Sequence, residues 1–319
     1  MNVLRGLRAV SEASGAGVVD WENAAEAAKA STDPGSLALS PAEREGYAAD
    51  VRDARSRLRS VAGIEFEVPE TVEIQNRHHW IDASLSTFEN VMRPIEAVAT
   101  PVLPDLSRVV NTGSMAVTLG FLARNVLGQY DPLLLANEPD ADHGLYFVHP
   151  NIVAVAAELD ADYPRFRRWI AFHEVAHAAE FGVAPWLPTY LESRVEEGVE
   201  TLTAGRFDRE AFVELQLAMT AVEGYAELLM DRAFDDEYAD LRRKVDARRD
   251  GGGPFQRVMR RFLGLDLKRR QYERGAAFFE AVADARGLDG ASVVWERPEY
   301  LPTSTELDRP ETWLARVDP

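Results

Sequence analysis

The run at 162–182, DYPRFRRWIAFHEVAHAAEFG, constrains this chain more than any other stretch. Asp162 can cap a helix N-terminus, and Pro164 falls in the first turn, where a missing N–H is harmless. Gly182 stands where such a helix would stop. Between them Phe166, Trp169, Ile170, His173 and His177 recur at helical spacing, and Phe172, Val175, Ala176 and Ala179 make the opposite side apolar as well. A helix that is apolar all round is a buried helix. The rest of the chain must therefore supply helices to surround it.

This buried helix carries the pattern H-E-x-x-H, as His173, Glu174 and His177. Residues four apart share a helix face, so both imidazoles can point at one ion, and Glu174 sits close enough to handle a water bound there. A buried Glu beside two buried His is costly without partners or a metal. Two core histidines satisfied by hydrogen bonds are the plainer alternative; a metal site accounts for all three residues together. With no cysteine in the chain, the ligands must be His and carboxylate. One zinc ion with His, His and a carboxylate, leaving a position open, makes a catalytic site.

The third ligand lies outside the motif. A continuation H-x-x-G-x-x-H is absent, because Glu180 and Val183 occupy the Gly and His positions. Glu192, Glu196, Glu197 and Glu200 fall in a charge-dense segment that reads as a solvated face. In LQLAMTAVEGYAELLMDRAF, however, Glu223 interrupts an apolar stripe shared with Met219, Ala226 and Met230. Glu223 is the leading ligand and Glu227 the next. Glu227 and Asp231, at four-residue steps, are candidates for acids that orient the histidines, and a plain acidic helix face is the alternative. Tyr225, His149, Lys268, Arg269 and Tyr272 are candidates for the donor that stabilises an oxyanion. His78 and His79 are adjacent, so on a helix they diverge and cannot share an ion. His143, in an acidic loop, reads as exposed.

Further elements follow from local signals. Ser40-Pro41-Ala42-Glu43 is a capping box opening a helix to about residue 60. An extended piece at 64–68 precedes helices at 77–98 and 104–128, a loop at 129–143, a strand at 145–148 and a helix at 152–159. The strand just ahead of the metal helix is either an edge strand that pairs with an extended substrate, as in zinc peptidases, or unrelated to the site. Helices are expected at 189–203, 209–234, 255–263 and 266–286, then an irregular tail with a last short helix at 311–316. The Gly251-Gly252-Gly253-Pro254 run is the clearest break. The fold class is mainly α with a few short strands: an N-terminal helical region at 1–76 packed on a core at 77–319, forming one continuous domain.

The net charge is −18, and lysine stands only at Lys29, Lys244 and Lys268. So acidic a chain argues against nucleic acid or an anionic membrane as partner. It matches either adaptation to high salt or an acidic protein from a GC-rich genome. No signal peptide or membrane span is legible, and the longest uncharged central run, 109–123, is too short and polar to cross a bilayer. A cytoplasmic protein is expected.

HEVAHAAEFGVAPWL, VEGYAELLMD, LGLDLKRRQYERGAAFF and VVWERPEYLPTSTELDRPETWLARV occur in that order and resemble the zincin-like metallopeptidase family. That family was long filed as a domain of unknown function. One branch of it is labelled, from genomic co-occurrence, as associated with deazaflavin coenzyme biosynthesis. The resemblance runs from about residue 77 to the C-terminus. It implies a helix-rich α+β zincin core and a hydrolase with His173, His177 and Glu223 as gluzincin-like ligands and Glu174 as the catalytic carboxylate. It names no substrate. The resulting expectation is a zinc-dependent metallopeptidase or amidase acting on a peptide or small amide. One alternative is a non-catalytic zincin-fold binding protein. A carboxylate-bridged di-iron helical protein is disfavoured, because that class wants a second E-x-x-H and the chain has none.

Overall fold

The computed structural model describes residues 3–15, 17–63, 65, 66, 69, 71–98, 103–131, 144–203, 209–234, 238–250 and 269–319. In chain order its elements are α1 (Val3–Ser11), α2 (Trp21–Ser31), α3 (Pro41–Ala62), β1 (Thr71–Gln75), α4 (Arg77–Val98), α5 (Pro104–Ala123), β2 (Gly128–Asp131) and β3 (Gly144–Val148). There follow α6 (His149–Glu158), α7 (Tyr163–Val183), α8 (Leu187–Thr203), α9 (Arg209–Ala233), α10 (Ala239–Asp250), α11 (Arg269–Ser292), α12 (Ser304–Asp308) and α13 (Pro310–Val317). The fold is mainly α with a few short strands. Helix starts follow the capping residues: Ser40 and Glu43 complete a reciprocal box at α3, and Asp162 accepts from the Arg165 N–H at α7. Gly63, with φ of 66°, ends α3 in the left-handed conformation that glycine adopts without strain.

The described residues fall into two compact units, each assembled from three stretches. The first comprises Met1–Ala38, Thr71–Val155 and Glu196–Phe207; the second comprises Leu39–Glu70, Ala156–Val195 and Asp208–Pro319. A division at residue 76 would follow chain order, whereas these units interleave.

In the first unit, α2 buries Ala24, Ala25, Ala27 and Ala28, small residues that let α5 approach closely at Gly120. The sheet has the order β1-β3-β2, with β1 parallel and β2 antiparallel to β3. Central β3 is therefore not an edge strand. Its backbone groups are taken by neighbours on both sides, so it cannot pair with an extended substrate. The helix expected to reach residue 128 ends at Ala123, and β2 forms at Gly128–Asp131, at the start of the stretch expected to be a loop. Asn151, far along the chain, donates to the Ala123 and Val126 carbonyls at 2.8 and 2.6 Å and so caps the last turn of α5 early.

In the second unit, α7 is packed by α3 and α9, and α11 packs along α9. Trp169 and Phe172 of α7 meet Phe234 with ring centroids 5.2 and 4.5 Å apart. Burying a side chain of this size contributes roughly 1.5–3 kcal/mol. Two successive arginines tie α7 to α3: Arg167 bonds Asp50 at 2.6 Å, and Arg168 bonds Asp53 at 2.6 Å and the Tyr238 hydroxyl at 2.7 Å. α10 was not legible in the sequence, because its strongly charged segment has too little apolar periodicity to stand out. The helix expected to end at 286 does so: Gly287, with φ of 77°, interrupts the α11 span there, and a second helical stretch continues to Ser292. The expected extended piece at 64–68 and helix at 255–263 lie largely or wholly outside the described residues.

Candidate metal centre

The i,i+4 spacing on α7 does what the sequence requires of it. His173 and His177 stand edge to face with ring centroids 4.6 Å apart, and their Nε2 atoms face each other at 3.3 Å. Glu223 reaches the same point from α9, and one ligand atom from each of the three residues lies within 4.8 Å of the other two. All three are half-buried, while Glu174 beside His173 is buried.

A helix crossing brings Glu223 there. Its neighbour Gly224 lets α9 approach α11 at Gly275, where a side chain would collide with backbone. Tyr225, the next residue, is fully buried against Phe279 and Trp295. The EGY segment thus divides its tasks among a carboxylate at the cluster, a close helix contact and an aromatic anchor.

His177 Nδ1 meets Glu180 Oε2 at 2.8 Å, and Glu180 is completely buried one turn further along α7. Burial alone would lower the His177 pKa, but the hydrogen bond and charge of Glu180, with the charges of Glu223 and Glu174, push it up to about 9. Glu180 is pushed up to about 7, by burial first and by the charge of Glu223, against the lowering effect of His177. In this geometry the Nδ1 side of His177 faces the Glu180 carboxylate, and Nε2 is turned toward His173 and the cluster.

These donors fit a divalent ion. The two Nε2 atoms already stand at the separation of two corners of a tetrahedron drawn at about 2.0–2.1 Å around one ion. A carboxylate is at hand for a third corner, and the surrounding acids favour positive charge. Nitrogen and oxygen ligands of this kind suit zinc among several divalent metals.

The other candidates are distributed differently. Glu227 pairs with Arg242 at 2.7 Å, and Asp231 pairs with the same guanidinium. Glu180 is a carboxylate that does contact a histidine of the cluster. Its sequence signal was an acid three residues after His177 on a helix that is apolar all round. Tyr225 is fully buried on the Glu180 side, and the charge of Glu180 helps to raise its pKa beyond that of an ordinary phenol, after burial itself. His149 opens α6 in the first unit and is buried. His78 Nε2 lies 2.8 Å from the Thr32 carbonyl oxygen, and His79 is exposed. His143, Lys268 and the side chains of Arg269 and Tyr272 lie outside the described residues. No helix among the described residues is long and apolar enough to cross a membrane.

A crystal structure from Chloroflexus aurantiacus, described as a presumptive hydrolase with a novel fold, superposes with a TM-score of 0.75. It shares 31% identity, with 100% of this chain and 99% of that one covered. No curated protein matches the chain. The family model for zincin-like metallopeptidases matches residues 19–206 and 201–314, nearly the whole sequence, and the chain belongs to that family.

Proposed function

We propose that this protein is a zinc-dependent hydrolase that cleaves an amide bond in a peptide or small amide. One observation carries the reading: the facing Nε2 atoms of His173 and His177 gather with the Glu223 carboxylate at one point, with Glu174 next to His173 in the chain. His173, His177 and Glu223 would hold the ion. Bound zinc would supply Lewis acidity toward a carbonyl and lower the pKa of water toward about 7.

The remaining work falls to the chain. Glu174 accepts the proton of the attacking water and returns it to the leaving nitrogen. The carboxylate is buried one residue from the first histidine of the motif. A protein that kept the cluster only for binding would have no use for that carboxylate.

Metal analysis of the purified protein tests the ligand set. About one zinc per chain is expected in the wild type, lost in Glu223→Ala and kept in Glu227→Ala. Peptides and amides are then screened with Glu174→Gln as the control, expected to keep its zinc and lose about 10²–10⁴-fold in kcat. A wild type that takes up no zinc under zinc-replete conditions overturns the proposal.

A further inference from the structure

His177 can serve as a ligand only if its Nε2 carries a lone pair toward the cluster. Imidazole tautomers differ little in energy in water, so the choice is made by what the other ring nitrogen meets. Here it meets Glu180 Oε2 at 2.8 Å, and the carboxylate has no exposed surface. Both groups ride on one helix, three residues apart, so the contact needs no adjustment of the surrounding fold. A fully buried carboxylate is expensive, and α7 would be better packed with an apolar residue at 180 unless the charge had a use.

The second Glu180 oxygen extends the arrangement to α9. The Ala226 N–H of α9 acts on the Glu180 carboxylate, and Oε1 and the hydroxyl of Tyr225, one residue before Ala226, are both buried without a well-aligned hydrogen bond, Tyr225 close enough for the Glu180 charge to act on it. Tyr225 cannot swing away, because its ring is wedged against Phe279 and Trp295 at centroid distances of 5.2 and 5.6 Å.

We propose that Glu180 is the positioning residue of the metal centre, holding His177 with Nδ1–H donated and Nε2 free, and that Tyr225 steadies Glu180 from α9. This rests on the metallohydrolase reading above. It makes Tyr225 a support behind a ligand rather than a donor to substrate. The residue following Glu223 by two thus couples the third ligand's helix to the orientation of the second.

The test is zinc affinity of the full chain by chelator competition, which needs no substrate. Glu180→Ala is expected to weaken zinc binding 10–100-fold. Glu180→Gln, whose amide oxygen still accepts from Nδ1–H, should recover most of that loss, whereas Glu180→Met, of similar size but without an acceptor, should not; a purely packing role predicts recovery in both. Tyr225→Phe should weaken binding severalfold in the wild-type background and not at all in Glu180→Ala. Thermal melts of the metal-free variants monitor folding, and Glu180→Gln alone decides the matter if Glu180→Ala does not fold, since a further few-fold loss is still expected of it. Wild-type binding with variant affinities within twofold overturns the role of Glu180. Additive effects in the double variant remove Tyr225 from it. A wild type that binds no zinc overturns the metallohydrolase reading, and this role with it.

Discussion

Gly224 on α9 and Gly275 on α11 meet with no room for a side chain between them: a Cβ added to Gly224 would stand 2.7 Å from the Gly275 Cα. Because Glu223 is the adjacent residue, the crossing that seats α9 also sets the position of the proposed third ligand. Gly224→Ala should force the helices apart and destabilise the fold by about 1–3 kcal/mol, the usual range for overpacking. Zinc affinity should fall in the same variant, although the substituted residue touches no ligand atom. Denaturant titration and chelator competition on one sample check both. Loss of stability with unchanged affinity would uncouple the crossing from the site.

Arg242 gathers Glu227 and Asp231, which removes the need for either acid to face a histidine. All three side chains are partly exposed, so the cluster is worth about 1 kcal/mol or less. Glu227→Gln and Asp231→Asn should each keep full zinc content and lose little stability. A variant that loses zinc would return Glu227 or Asp231 to the ligand sphere.

What could be read from the sequence was local. The Ser40 box and the Asp162 cap act on residues within three positions, and both helices begin where those residues place them. The His173–His177 face depends only on helical period, and Glu223 stood out because a carboxylate broke an apolar stripe. What escaped depends on distant partners. Asn151 ends α5 from 28 positions away, and β2 captures the residues beyond it. β3 could not be recognised as central without knowing that β1 and β2 flank it. Glu180 looked like a departure from another zincin pattern, and only its burial beside His177 gives it a use.

Glu306 accepts from Arg316 at 2.6 Å and from the Thr303 N–H at 2.9 Å in the capping box of α12. Burial opposes its ionisation, yet Arg316 and Thr303 hold its pKa below the ordinary 4.5. A carboxylate with a depressed folded pKa adds stability that is present above its unfolded value and is lost as pH falls through the folded one. Glu306→Gln should therefore cost about 1–2 kcal/mol at neutral pH, allowing for the partly exposed Arg316. The difference from wild type should shrink below about pH 4.5. Melting temperatures of both proteins across pH 3–7 check this, and a gap that persists at the acid end would rule out ionisation as its source.

Arg167 lies six residues before His173 on α7, and its guanidinium is buried between Asp50, the Tyr47 ring at 5.2 Å and the Tyr163 ring at 5.5 Å. Gly46 leaves space for it on α3, where any Cβ would collide with the guanidinium. Desolvating both charges offsets much of their attraction, so the pair adds little net stability, but removing one partner strands the other. Asp50→Asn should accordingly destabilise by about 3–5 kcal/mol, and the double change Asp50→Leu with Arg167→Met should recover much of that. Urea titrations of the single and double variants measure the difference. If the double variant is stable but binds zinc less tightly, the ion pair serves the register of α7 against α3. If it is stable and binds zinc normally, the pair is dispensable to the site, and the packing of Trp169 and Phe172 against Phe234 is enough to seat the metal helix.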